Sequence, residues 1–289
     1  MSGEEQAFFT LKRRILLDRG LDCEQYKEAY LKRRIGVRLR ATGAGGYLDY
    51  VRILRRDPEE YAMLLNELTI NVTQFFRDPD VYGRLADFVI PELLVSKKSA
   101  GRRSIRVWSA GCASGEEPYS VAILLAEALG TEGGDWNVRI TGSDLDDGSL
   151  EAAKAARYEK VEMPDGIATE GYFEVERPGN GTGYRVIEEV RRRVKFEREN
   201  LLDARERRHF DLVLCRNVLI YFAREVQSRV VRSLAASMQK DGFLVLGKSE
   251  TLGLEAGRMF TPVFPRERIY KLAAAPRGGP AEGRDGKSF

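Results

Sequence analysis

A doubly wound α/β domain with a mostly parallel sheet, preceded by a small all-α domain and carrying a small antiparallel β insertion, is the fold class this sequence predicts. Three observations predict it. Before about residue 100 the apolar side chains keep helical spacing and give no strand signal. Beyond that point short apolar runs alternate with helical stretches, the pattern of a parallel sheet covered on both faces. Residues 172–187 depart from the alternation and read as a hairpin around the turn Pro178-Gly179-Asn180-Gly181-Thr182-Gly183.

Taken in order, residues 8–19 predict a helix that stops at Gly20. A second helix is expected over 23–40 with Asp22 as its cap, until Gly43-Ala44-Gly45-Gly46 breaks the pattern. Residues 47–56 predict a short third helix. Asp57-Pro58 opens a fourth, because Asp suits an N-cap and Pro the first helical position. Residues 71–77 connect, and Asp78-Pro79 starts a helix reaching about Val95, followed by a polar, basic loop over 96–103. A β run at 105–109, a turn at 110–115 and a helix over 116–130 come next. A strand over 138–143 ends at Asp144, and a helix covers 149–157. The hairpin is expected at the edge of the sheet. Strands follow at 194–197, 210–215 and 242–246, with a helix over 225–238. The segment from Ala275 is rich in Gly, Pro and charge, so disorder is expected there. The resulting domains are an all-α domain over 1–76, a linker and first helix over 77–100, and an α/β domain over 101–274. The β insertion lies at about 160–193, and a tail covers 275–289.

With 289 residues, 43% of them hydrophobic, the chain can bury a sizeable core. No apolar run is long enough to cross a bilayer, and Met1 to Glu5 lacks the pattern of a signal peptide. A cytoplasmic protein without membrane insertion is expected, with monomer as the default. Cys23, Cys112 and Cys215 stand far apart, and with the single histidine, His209, they offer no zinc spacing, so no metal is expected. Net charge is only +3, yet from Lys12 to Arg40 ten Lys/Arg face four Asp/Glu.

The turn Gly111-Cys112-Ala113-Ser114-Gly115 joins a strand to a helix N-terminus, the usual place for a nucleotide-like ligand. It lacks the three spaced glycines of a dinucleotide fingerprint and the Gly-Lys-Ser/Thr of a phosphate loop. Glu116 and Glu117 follow at the helix start. First-turn carboxylates are common because the helix dipole favours them, but here they would repel a phosphate. A cationic ligand suits the site better, and S-adenosylmethionine carries a sulfonium and an ammonium without a phosphate. Asp144 at a strand end suits ribose hydroxyls, while Asp146 suits a helix cap. Asn200 suits either an adenine contact or an ordinary turn.

Strand 210–215 runs into Arg216-Asn217-Val218-Leu219-Ile220-Tyr221-Phe222, where ligands of open α/β sheets bind. If that segment turns as a helix, Asn217 and Tyr221 share a face; the alternative is a capping Asn and a core Tyr. Residues 69–78 form a second polar cluster between the two halves, suited to a lid or to a hinge.

Together, Leu68–Arg77 (LTINVTQFFR), Arg106–Ser120 (RVWSAGCASGEEPYS), Gly142–Asp146 (GSDLD), Phe210–Phe222 (FDLVLCRNVLIYF) and Gly242–Glu250 (GFLVLGKSE) resemble the chemotaxis receptor methyltransferase (CheR) family. Five motifs in this order are specific, and the resemblance runs from about residue 8 to 272. It implies a class I methyltransferase domain behind a receptor-docking helical domain. It implies that Asn71, Thr73 and Arg77 contact the cofactor or the reacting centre, and that Glu117 and Asp144 hold the cofactor's polar groups. Gly111 belongs to the cofactor turn, Asn200 and Leu201 lie by the adenine, and Arg216, Asn217 and Tyr221 flank the methyl group and the incoming carboxylate. Gly111-Cys112 stands where the family commonly has Ala.

The implied reaction is attack of a substrate glutamate on the cofactor methyl, giving a methyl ester and S-adenosylhomocysteine. The nucleophile is ionised near neutral pH, since its reference pKa is about 4.3, so no base is required. Alignment is then the main task. Arg77 or Arg216 is expected to orient the carboxylate, and Tyr221 to set the approach. The basic second helix, through Arg33, Arg34 and Arg38, is expected to dock the glutamate-bearing helical bundle of the cytoplasmic part of chemotaxis receptors. Two rivals stand beside this reading. A nucleic-acid methyltransferase would use the basic helix on phosphates, but the Arg216-Asn217-Val218-Leu219 segment and the lack of interleaved aromatics speak against nucleic acid as partner. A non-catalytic scaffold sensing S-adenosylmethionine would keep the same cofactor motifs.

Overall fold

The computed structural model describes residues 2–68, 73–177, 181–202 and 209–273. Helix α1 (Gly3–Arg19) starts in a capping box, in which the Glu5 N–H donates to the Ser2 hydroxyl and the Ser2 N–H to the Glu5 carboxylate. It ends at Gly20 in the left-handed conformation. The second helix expected from residue 23 is split. Asp22 caps a single 3-10 turn, Cys23–Gln25, and α2 (Glu28–Thr42) begins only after an extended Tyr26-Lys27. Tertiary pairing causes the break: Tyr26 bridges to Phe222, the Lys27 N–H donates to the Tyr221 carbonyl, and the Ala223 N–H donates to the Gln25 carbonyl. Helices α3 (Tyr47–Leu54) and α4 (Pro58–Leu68) complete this half, and the Asp57 carboxylate accepts the Glu59 and Glu60 N–H groups at 2.9 and 3.0 Å. Leu11, Ile15, Leu31, Ile35, Tyr50 and Leu64 are buried together, each large apolar side chain contributing about 1.5–3 kcal/mol.

The next helix outruns its expected end. Segment α5 (Pro79–Arg84) continues through a π turn, Leu85–Val89, into α6 (Ile90–Ser99), so residues 96–99 are helical rather than loop. Lys97 explains the extension, since its ammonium lies 2.5 Å from the buried Asp211 carboxylate, which also accepts the Arg106 N–H.

Among the described residues no strand precedes β1 (Ser104–Ala110). The chain then alternates through α7 (Glu116–Leu129), β2 (Asn137–Asp144) and α8 (Asp147–Ala155). Three short strands follow, β3 (Arg157–Tyr158), β4 (Phe173–Glu176) and β5 (Gly183–Val186), then α9 (Glu188–Arg191), β6 (Val194–Arg198), β7 (Phe210–Cys215), α10 (Arg224–Ala236) and β8 (Met238–Leu246). A short α11 (Leu254–Gly257) leads to β9 (Phe260–Phe264) and β10 (Ile269–Leu272), two antiparallel strands for which the sequence reading had no signal. The main sheet has the order β6-β2-β1-β7-β8-β10-β9. Alternation sorts its side chains: Val107, Leu212, Leu214 and Val245 enter the core under α7, and Trp108, Val213, Cys215 and Leu244 the core under α10.

The hairpin expected at the edge of the main sheet forms a separate three-stranded sheet, β3-β5-β4. Aromatic packing holds it over α7 instead: Phe75 meets Tyr158 and Phe173, and the Tyr158 hydroxyl donates to the Ser114 carbonyl at 2.8 Å. Residues 178–180 of the turn expected at 178–183, and the tail from 275, lie outside the described residues.

Candidate cofactor and methyl-transfer cleft

The parallel strand order reverses between β1 and β7, which makes the carboxyl ends of these two strands the topological switch point. An open cleft of about 1070 Å³, its solvent mouth included, lies there. One wall is the turn after β1. The N–H groups of Gly111 and Cys112 both donate to the Ser143 carbonyl, at 2.8 and 3.0 Å, and the Ala113 N–H donates to Asp144 Oδ2 at 2.8 Å. The turn is thereby stitched to the end of β2. Gly111 has φ +79°, and a Cβ there would stand 2.5 Å from Val218 Cγ2 across the cleft. Glycine is required at this position on both counts.

Glu117, the second residue of α7, is buried and lines the cleft. Its Oε1 accepts the Ser109 hydroxyl at 2.7 Å, and its Oε2 lies 3.4 Å from Arg216 Nη1. Burial raises its carboxyl above the usual range, although the Arg216 charge pulls the other way. Asp144 is likewise raised by burial, against the N–H groups of Asp146 and Ala113. Asp146 caps α8, accepting the Gly148 N–H at 2.9 Å.

The other wall is 216–222. It is not the helix considered for it: Asn217 takes a left-handed φ of 60°, and only Leu219–Tyr221 form a 3-10 turn. Arg216 turns inward. Its guanidinium lies 2.5 Å from Asp78 Oδ2, donates to the Arg77 carbonyl at 2.8 Å and covers the Tyr82 ring. Of the two arginines expected to orient an incoming carboxylate, Arg216 is paired with Asp78 and Glu117, with its side chain 2% exposed. Arg77 lines both this cleft and an adjoining outer one walled by Thr73, Gln74, Asp80 and Lys248.

Thr73, Arg77, Gly111, Glu117, Asp144, Asn200, Leu201, Arg216, Asn217 and Tyr221 thus surround one cleft. Asn71 lies outside the described residues. Asn200 Oδ1 also accepts the Leu202 N–H at 3.1 Å, as a turn former does. Sequence reasoning missed Tyr26 and Tyr82, which reach the cleft from other elements. It also missed Glu250, whose motif was visible but whose fold-back was not.

The arginines of the basic helix differ in their partners. Arg38 forks onto the Glu60 carboxylate, which also accepts the Tyr50 hydroxyl, and Arg34 lies 2.7 Å from Glu67. These two charges serve the α2–α4 packing. Arg33 is exposed.

The donor set fits S-adenosylmethionine. Buried carboxylates suit its cationic groups, the glycine at 111 leaves room where a methyl would intrude, and Leu145, Leu201 and Val218 offer apolar wall to a flat base. The cleft residues include no lysine to take up a phosphate. Among the described residues no group of His, Cys, Asp and Glu could hold a metal ion, and no helix is long and apolar enough to cross a membrane.

Residues 71–268 match the family model "CheR methyltransferase, SAM binding domain", and residues 6–69 match "CheR methyltransferase, all-alpha domain". Chemotaxis protein methyltransferase 2 of Pseudomonas aeruginosa is 35% identical over 84% of this chain and 85% of its own length. Chemotaxis protein methyltransferase of Listeria innocua is 35% identical over 86% and 91%. Chemotaxis protein methyltransferase 1 of Pseudomonas aeruginosa is 38% identical over 66% and 69%.

Proposed function

This chain belongs to the CheR methyltransferase family and uses S-adenosylmethionine, and from that premise we propose that it esterifies the γ-carboxylate of glutamate side chains on chemotaxis receptors. The observation that carries the reading is one cleft that combines the buried carboxylate of Glu117 with Arg77 and Tyr221, and has no histidine or lysine among the described residues of its wall. Such a site holds a cation and aligns an anion. A carboxylate nucleophile needs no base.

When bound, S-adenosylmethionine supplies a methyl group on a sulfonium, electrophilic without further activation. Glu117 and Asp144 hold its ammonium and ribose ends, and Leu201 and Asn200 face the base. Arg77 orients the substrate carboxylate, while Arg216 holds Glu117 and the 77–78 backbone in place. Tyr221 limits the angle of approach, and the surrounding aromatic side chains keep water out. Too tight an ion pair would blunt the nucleophile, which argues for one arginine on the substrate rather than two.

The test is incubation with methyl-labelled cofactor and receptor cytoplasmic fragments. Base-labile label on glutamate is the expected result. Label on nucleic acid instead would favour the nucleic-acid methyltransferase, and cofactor binding without transfer to any receptor would favour a sensing scaffold.

A further inference from the structure

The cleft wall that carries Asn217 and Tyr221 is held from behind by a carboxylate outside the cleft lining. Glu250 follows β8 and is 3% exposed. A buried charge needs compensation, and here it comes from backbone. Glu250 Oε1 accepts the N–H groups of Val218, Leu219 and Ile220 at 2.8, 2.7 and 3.4 Å, and Oε2 accepts those of Asn217 and Gly247 at 3.0 and 2.6 Å. Asn217 is left-handed and Val218 right-handed, the pairing that turns successive N–H groups into an anion-binding concavity. The concavity is filled by this chain's own side chain. Gly247 permits the approach, since a Cβ there would stand 2.7 Å from Glu250 Oε2 and 2.8 Å from the Asn217 nitrogen.

We propose that Glu250 is a positioning residue for methyl transfer: its carboxylate anchors the backbone of residues 217–220 and so fixes Asn217 and Tyr221 against the cleft. The left-handed Asn217 is uncommon for a residue with a side chain, and four converging donors repel one another without an anion between them. Negative charge, more than side-chain volume, is what the site requires. The role is exerted through the loop, because Glu250 itself does not line the cleft.

Charge and volume make opposite forecasts. Glu250→Gln keeps the volume, loses the charge and turns an NH₂ group toward backbone donors. Glu250→Asp keeps the charge and shortens the arm. An anchoring anion predicts that Asp retains more kcat than Gln, with Gln about tenfold or more below wild type while cofactor Kd moves less than about threefold. A filler of space predicts that Gln outperforms Asp, and that order, or parallel loss of binding and turnover, would overturn the proposal. The kcat readout rests on the receptor substrate proposed above. Amide hydrogen exchange does not: residues 217–220 of the unmodified protein are expected to exchange slowly, and rapidly in any folded Glu250→Gln protein. Rapid exchange in the unmodified protein would refute the anchor even if no variant folds. Wild type that transfers no methyl to receptors but protects these amides would refute only the substrate.

Discussion

The two walls of the cleft are built differently. The Gly111–Glu117 wall is the turn from β1 into α7, and its bonds run to Ser143 and Asp144 at the end of the neighbouring strand β2. The 216–222 wall is assembled from a distance. Glu250 takes its N–H groups, and Lys27 of the helical half takes the Ile220 carbonyl at 2.7 Å. Tyr30 of α2 packs its ring 4.8 Å from that of Tyr221 and gives its hydroxyl to the Leu68 carbonyl at the end of α4. The difference teaches that, in the proposed function, holding a cofactor and reacting it should be separable by mutation, because the 216–222 wall is the one bonded to the joint between the two halves.

The largest expected effects come from one residue of each kind. Arg77→Ala is expected to lower kcat on receptor fragments by about 100-fold through lost alignment, and Tyr221→Phe by about tenfold, with cofactor affinity nearly unchanged in both. Unchanged turnover in both would remove them from the mechanism. Glu117→Gln is expected to do the reverse, weakening S-adenosylmethionine binding by about 10- to 100-fold in calorimetry, the worth of a charge-assisted bond. Should Glu117→Gln leave affinity intact, the division between walls would fail.

Acid sharpens the same contrast. Burial raises the folded-state pKa of Glu117 and Asp144 above their unfolded values. Protonation is therefore more favourable in the ligand-free fold than in the unfolded chain, and these two groups add stability as pH falls through their raised pKa values and withdraw it as pH rises. A cationic ligand needs them ionised. Cofactor affinity is expected to fall on acidification starting above the ordinary carboxylate range, by up to about tenfold per pH unit for one proton, with proton release on binding near that pH. Affinity flat down to the ordinary Glu range would show that Glu117 does not meet the cation.

The same contrast explains what was legible. Strand 210–215 announced itself because all six of its residues are buried, leaving an apolar run interrupted by Asp211 alone. The turn at Gly111 was legible because its chemistry is contiguous. Glu250 was not, since its five donors lie at Gly247 and 30 or more residues upstream. The break at Tyr26-Lys27 was hidden for a like reason: helical spacing runs through it, and only pairing with Phe222 overrides it. Strands β9 and β10 escaped because Pro262 and the charges of 266–268 dilute the apolar pattern of an edge hairpin.

Gly111→Ala is the substitution expected to cross from one wall to the other. A left-handed alanine costs about 1–2 kcal/mol, and the clash with Val218 adds about 1–3 kcal/mol. The melting temperature is expected to drop by roughly 5–10 °C, with cofactor affinity and turnover declining together. A variant that loses turnover alone would place the strain wholly in the 216–222 wall.

The smallest effect concerns α2, where arginines of one helix face different fates. Arg38 is bound to Glu60 and Arg34 to Glu67, so reversing either leaves a carboxylate beside a carboxylate inside the packing of α2 on α4. Arg38→Glu is expected to lower stability, because it sets a second carboxylate beside Glu60 in a part-buried pair, and to tell little about docking. Arg33 is exposed, so its charge remains available to an acidic bundle. Arg33→Glu is expected to leave the melting temperature unchanged and to raise KM for receptor fragments about two- to fivefold at low salt, with kcat held. The increase should shrink as ionic strength shortens the reach of the charge to about 8–10 Å. A KM indifferent to both Arg33 and salt would move the docking surface off this helix.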